Sequence, residues 1–245
     1  MTYPKNPDHQ EILKQLKQFG QPTLDGFDVK YVGTKKPSYH LKTEVQKQII
    51  KNVLKSHPLN LTDFVDLVNS LYQNGTSYDE IIIAGRIVGV LPELRRLIQP
   101  SLLNNWLNYT NGWAEVDTLC QLSFTPEELL SKWDQWSDLL TKLNSDSNVH
   151  KRRASLVLLT KPVSHSADLR LSDLAFKNIE ALKSETDILI TKAVSWILRS
   201  LIKHHQDEVA KYLGANQDSL PKIAYREATT KLITGKKYIN NSKLK

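Results

Sequence analysis

The chain has 245 residues, 40% apolar and 24% charged, which suffices for a sizeable core and is neither disordered nor collagen-like in composition. Nine glycines and ten prolines are few for a many-stranded sandwich or barrel, and the single cysteine, Cys120, excludes a disulfide framework, a thiolate zinc site and a four-cysteine iron–sulfur cluster. The formal net charge is +7, and it is unevenly placed.

From Lys30 to Lys55 there are seven lysines and one acid, Glu44, and after Glu227 there are five lysines and no acid. Between Arg96 and Lys132 there is no Lys or Arg, while Glu115, Asp117, Glu127 and Glu128 lie there. A basic chain with one acidic island points to a polyanion approached by the basic surfaces, the island serving another purpose. The first ten residues hold no hydrophobic signal core, and the longest apolar run, Ile81–Leu91, is interrupted by Arg86 and falls short of a bilayer span. The expectation is a soluble, cytoplasmic protein with no membrane partner.

In chain order, Pro7-Asp8 opens a helix carrying Ile12, Leu13, Leu16 and Phe19, and Gly20 stops it. Ser38–Leu54 follows, with Val45, Ile49, Ile50, Val53 and Leu54 on one face and Lys42, Lys47, Lys51 and Lys55 outside it. Next come Leu61–Tyr72, Ser77–Leu91, Leu94–Asn108, Gly112–Leu122, Thr125–Leu143 and Val149–Leu159. The series closes with Leu169–Lys183, Asp187–His204, Glu208–Leu213 and Ser219–Ile233. Thr125-Pro126 with Glu128 reads as a capping box, and Asp187 and Ser219 as N-caps. About twelve helices in consecutive pairs, with short linkers and no surviving strand pattern, predict an all-α fold: an α-solenoid of HEAT-like repeats with a concave basic face. Residues 1–245 are expected to form one such domain, the tail 235–245 being a candidate flexible basic arm.

Three segments are candidates for chemistry. In GWAEVDTLC (Gly112–Cys120), Trp113 and Asp117 are four residues apart and share a helix face, whereas Glu115 points away. A carboxylate on the apolar side needs a partner, and no basic residue is near in sequence. Taken alone, this spacing is more often a core tryptophan beside a half-solvated aspartate. Lys151-Arg152-Arg153 can supply the partner or meet phosphate, arginine being suited to both; a solvated first turn is the plainer reading. In Asp187–His204, Ile190, Ala193, Val194, Ile197 and Leu201 form a core stripe with Trp196 at its edge beside Lys192, Ser200 and Lys203. A boundary packing residue and a ligand-contacting tryptophan both fit that position.

Together GWAEVDT, NVHKRRASLVL and ITKAVSWILRSLIK resemble the AlkD-like DNA alkylation repair family, weakly from Val32–Pro37 and more clearly from Asn105 through Tyr225-Arg226-Glu227-Ala228 to Leu232. The resemblance implies a HEAT-like-repeat DNA glycosylase that excises N3- and N7-alkylated purines from duplex DNA. It places the catalytic tryptophan and aspartate at Trp113 and Asp117, the active-site arginine at Arg152 (Arg153 if the register slips by one) and a second tryptophan at Trp196. Ser195 conforms to the small residues before that tryptophan. His150 departs from the pattern, standing where the family commonly has tryptophan.

An N3- or N7-alkylpurine is already cationic and leaves without a general acid. The group to stabilise is the oxocarbenium-like sugar, a task suited to one carboxylate, Asp117, with cation–π help from the indoles. Phosphate contacts are expected from Lys35, Lys36, Arg153, Lys192, Lys203, Lys236 and Lys237. With no lysine at the expected site, a monofunctional, metal-independent enzyme without cofactors is expected, leaving an abasic site. It would act as a monomer in the cytoplasm, nucleoid-associated when bound to DNA. The alternative is a catalytically inactive DNA-structure binder of the same fold.

Overall fold

The computed structural model describes residues 6–121 and 124–238, with backbone alone at positions 27 and 28. Among the described residues there are fifteen α-helices and one short 3-10 turn, and the only β feature is an isolated bridge between Thr23 and Ser38. In the first compact unit, residues 1–123, the helices are α1 (Pro7–Lys17), α2 (Phe27–Val32), α3 (Thr43–Ser56), α4 (Leu61–Asn74), α5 (Tyr78–Val90), α6 (Pro92–Arg95), α7 (Ser101–Trp106) and α8 (Gly112–Cys120). The second unit, residues 124–245, holds α9 (Pro126–Ser131), α10 (Trp133–Asn144), α11 (Val149–His165), α12 (Leu169–Leu182), α13 (Ile188–Leu201), α14 (Gln206–Ala215) and α15 (Lys222–Thr234).

The packing repeats within each unit. In the first, α3 packs on α5 and α5 on α8, with α4 against α5; in the second, α11 packs on α13 and α13 on α15, with α10, α12 and α14 against that row. This is the all-α, helical-repeat architecture that the apolar spacing predicts. The α13 stripe shows why it holds: Ile190, Ala193, Val194, Ile197 and Leu201 are all fully buried, and each large aliphatic side chain so placed contributes about 1.5–3 kcal/mol.

Local departures from the predicted helices have identifiable causes. Phe19 lies beyond the end of α1 and is 51% exposed, because the chain leaves the helix at Gln18 and Gly20 adopts φ +104°. Residues 38–42 are non-helical, with His40 at φ +55°: Ser38 Oγ and the Tyr39 N–H both donate to the Asp79 carboxylate, which pins the entry to α3. Leu94–Asn108 is broken where Pro100 intervenes, giving α6, α7 and the 3-10 turn. Thr125–Leu143 is broken at Lys132 (φ −130°, ψ 42°). Conversely α11 runs on to His165 with Pro162 inside it, and Ser219 caps nothing, since α15 starts after Pro221. The Thr125–Glu128 capping box and the Asp187 N-cap form as expected. Leu122 and most of the basic tail, 239–245, lie outside the described residues.

Candidate active site

In the first unit the site is built on α8. Its first residue, Gly112, sits at φ +71°, and a Cβ there would lie 2.1 Å from the Val32 carbonyl oxygen and 2.6 Å from the Gly33 carbonyl carbon. Gly33 is the left-handed C-cap of α2 (φ +72°). Two glycines therefore let the end of α2 meet the start of α8 at backbone distance, a contact that any side chain at Gly112 would block.

That contact delivers Tyr31, the next-to-last residue of α2, to Trp113. The indole Nε1–H donates to the Tyr31 carbonyl oxygen (2.9 Å), and the tyrosine ring meets the indole edge-on with centroids 5.4 Å apart and planes at 82°. Trp113 is half-buried, as is Asp117 one turn later on the same helix, while Tyr31 is 61% exposed. One indole and one carboxylate are thus presented from α8, with the α2 phenol ring against the indole, and the other side of α8 is core: Val116, Leu119 and Cys120 are buried. Close packing of α5 fixes that other side, for a Cβ on Gly85 would lie 3.1 Å from the Leu119 nitrogen.

Glu115 does not point to solvent as the helical wheel suggests. It is 1% exposed; the loop after α2 covers it. Its carboxylate accepts from Thr34 Oγ1 (2.5 Å) and from the Asn111 N–H (2.6 Å), which satisfies the backbone just before α8. Burial pushes its carboxyl above the usual range, against the opposing effects of the Lys36 charge and its two hydrogen bonds. Lys36, expected on DNA phosphates, donates its ammonium to the Tyr109 carbonyl (2.8 Å) and lies within the Coulomb reach of Glu115. It is part of the frame under the α2–α8 contact. Lys35 beside it is exposed.

The remaining expected residues lie in the second unit. Arg152 is engaged throughout its head group: Nε and Nη2 donate to the two Glu185 oxygens (2.7 and 2.9 Å), and Nη1 to the carbonyls of Asp146 and Ser147 (2.8 and 2.9 Å). The bidentate pair raises the pKa of its guanidinium. Arg153 is 5% exposed and donates to the Leu189 carbonyl (2.6 Å) in the first turn of α13, the helix that carries Trp196. The resemblance points to Arg152, with Arg153 if the register slips by one, and the two have different surroundings.

Trp196 is half-buried. Its neighbour Ser195 donates to Glu227 on α15 (2.7 Å), and the same carboxylate oxygen lies 3.5 Å from Arg199 Nε and 3.5 Å from Lys237 Nζ. Glu227 is 4% exposed. Its burial alone would raise its pKa, yet the Ser195 hydrogen bond and the Lys237 and Arg199 charges hold it below the usual range. Lys237 is thereby tied to α15 and to the Tyr238 ring, 4.6 Å away. Lys192, Lys203 and Lys236 are exposed, Lys203 lying in the turn after α13 rather than on the helix.

The sequence profile of the DNA alkylation repair enzyme family matches residues 10–232. The chain belongs to that family. Membership makes it an enzyme of DNA alkylation repair and DNA its expected partner, in line with the basic charge. No individually curated protein matches it. Among the described residues, no three His, Cys, Asp or Glu side chains cluster to hold a metal ion, and no helix is long and apolar enough to cross a membrane.

Sequence reasoning missed Tyr31, Thr34 and Glu115 as parts of this locus. The signal was there in the two glycines: Gly33 and Gly112 stand at the edges of two short motifs that reasoning took separately, and their left-handed φ angles join them.

Proposed function

We propose that this chain is a DNA glycosylase that hydrolyses the N-glycosidic bond of N3- and N7-alkylated purines in duplex DNA and leaves an abasic site. The observation that carries the reading is the α8 locus: Trp113 locked by its hydrogen bond to Tyr31, with the half-buried Asp117 one turn away. An indole fixed at its N–H keeps its electron-rich face in a set orientation, and a cation against such a face gains about 0.5–2 kcal/mol. An alkylpurine nucleotide is such a cation. As its base departs, positive charge moves to the sugar, where the Asp117 carboxylate lowers its energy and orients the attacking water. The base leaves as a neutral purine and the water proton goes to solvent or to Asp117.

Lys36, the lysine brought to the foot of α8, has its amine held by the Tyr109 carbonyl. The chemistry is therefore assigned to water rather than to a Schiff base, without strand cleavage. The resemblance adds Trp196 and an arginine from the second unit. We assign that role to Arg152, the less buried of the pair, which Glu185 and the Asp146 and Ser147 carbonyls hold in a set orientation, with Arg153 the alternative if the register slips by one. Action as a cytoplasmic monomer accompanies this reading.

The test is release of methylated purines from alkylated duplex by wild type, Asp117→Asn and Trp113→Ala. Wild type should release free base, and Asp117→Asn should do so at least ~10-fold more slowly at similar DNA affinity, since the charge acts on the cation as it forms. A wild-type protein that binds duplex in a salt-dependent manner yet releases nothing would establish the inactive DNA binder instead.

A further inference from the structure

Between α3 and α5, in the first unit, runs an open groove of about 700 Å³ that the proposed chemistry does not use. Its rim carries Lys47, Lys51 and Lys55, successive every fourth residue on α3, and Arg86 on α5. Its floor is apolar, formed by Ile50 and Leu54 with Val90, which is 53% exposed. No carboxylate lines it, and the three lysines are exposed without an acidic partner among the described residues.

Arg86 on the groove's rim is held by neutral side chains. Its Nε donates to Gln46 Oε1 (3.1 Å) and its Nη2 to Thr43 Oγ1 (3.2 Å), both neutral groups. Arg152 and Arg199, by contrast, sit against carboxylates. Burial pulls the Arg86 pKa down, with only partial compensation from Tyr78 and Glu44. Like charges at i and i+4 on a helix repel, so gathering three lysines and an under-compensated guanidinium around one apolar trough works against the fold. An external polyanion removes that repulsion.

We infer that the α3–α5 groove is a nucleic-acid backbone site, separate from the Trp113–Asp117 locus, in which one strand of the duplex lies along α3. Four residues of helix advance about 6 Å, so the lysines form a linear ladder of charge. A sugar–phosphate strand offers the complement, anionic phosphates alternating with apolar sugar faces that suit Ile50, Leu54 and Val90. An acidic peptide is the competing class; it lacks any reason for the regular ladder and for the family's tie to DNA. The inference rests on the reading that the ligand is DNA and is independent of whether the base is excised.

The test is equilibrium binding of an unmodified duplex across a salt series. Three triple variants serve: Lys47→Gln/Lys51→Gln/Lys55→Gln, the charge-preserving Arg version at the same positions, and a control removing Lys142, Lys177 and Lys211, exposed on α10, α12 and α14. The groove Gln variant should bind more weakly, with the slope of log K against log salt reduced by about 2–3, while the Arg version and the control keep the wild-type slope. A groove Gln variant with the wild-type slope overturns the inference. So does a glutamate-rich peptide that binds wild type where duplex does not. A wild type that binds duplex steeply but excises nothing refutes the glycosylase reading and leaves the groove assignment standing.

Discussion

Gly112 offers the sharpest test of how the site is assembled, because Gly33 provides its own control. Both have nearly the same left-handed backbone, φ +71° and +72°. An alanine in that region is strained by about 1–2 kcal/mol. At Gly33 the strain is the whole cost: the nearest atom to its Cβ would be the Gly112 Cα at 3.4 Å, an ordinary contact. At Gly112 the new methyl would sit 2.1 Å from the Val32 oxygen, so α2 and α8 must part, and forced overlaps of this kind add about 1–3 kcal/mol. We therefore expect Gly33→Ala to cost about 1–2 kcal/mol and Gly112→Ala about 2–5 kcal/mol by urea unfolding. The two should differ in function as well. Parting α2 from α8 withdraws the Tyr31 carbonyl from the Trp113 N–H, so Gly112→Ala should slow base release well beyond Gly33→Ala at concentrations where both are folded. Equal stability costs, or equal rates, would show that the helix contact relaxes freely and does not orient the indole.

Other outcomes follow from the same geometry. Arg152→Ala should destabilise the protein by about 1–3 kcal/mol by stranding Glu185 and should also slow base release by the folded fraction more than Arg153→Ala does; the reverse pattern of rates would move the role to Arg153. Glu115 has a pKa raised above its unfolded value of 4.5, so its contribution is fully present below about that pH and declines as pH rises through the folded pKa. The stability of wild type relative to Glu115→Gln should fall over that interval, and a flat difference would refute it. Glu227 has the opposite sign: its folded pKa is depressed, so its contribution is present above 4.5 and lost as pH falls through the folded pKa. Glu227→Gln should accordingly cost most near neutral pH and least in acid, as followed by unfolding at stepped pH.

Periodicity made the all-α architecture legible because each helix buries one stripe, as on α13, and a stripe is a local property of sequence. Breaks were legible only where proline or a capping residue marks them. The turn at Lys132 carries no such mark, and α2 is too short, at six residues, to display a period. Burial of charge was the least legible feature. Glu115 sits at a position that the wheel turns outward, and only a loop 81 residues earlier in the chain makes it interior. The different surroundings of Arg152 and Arg153 were hidden for the same reason, since Glu185 and the Leu189 carbonyl lie more than 30 residues away.

The motifs that carried the resemblance divide by exposure into two kinds of residue. Glu115, Arg153 and Glu227 are at most 5% exposed, and Glu115 and Glu227 serve neighbouring backbone or side chains. Trp113, Asp117 and Trp196 are half-buried, and Tyr31 is mostly open. A carboxylate such as Glu115, desolvated and bonded to Thr34 and Asn111, cannot also turn to a sugar without leaving those donors unsatisfied. Asp117 belongs to the same helix and lies within two residues of it, yet it keeps a face to solvent through which a substrate can approach. The short segment from Asn111 to Asp117 thus separates the task of holding α8 in place from the task of presenting charge, and assigns them to two acids 200° apart on one helix, an angle fixed by ~100° of turn per residue. That separation is what allows the Asp117 charge to be removed without dismantling the locus that orients Trp113.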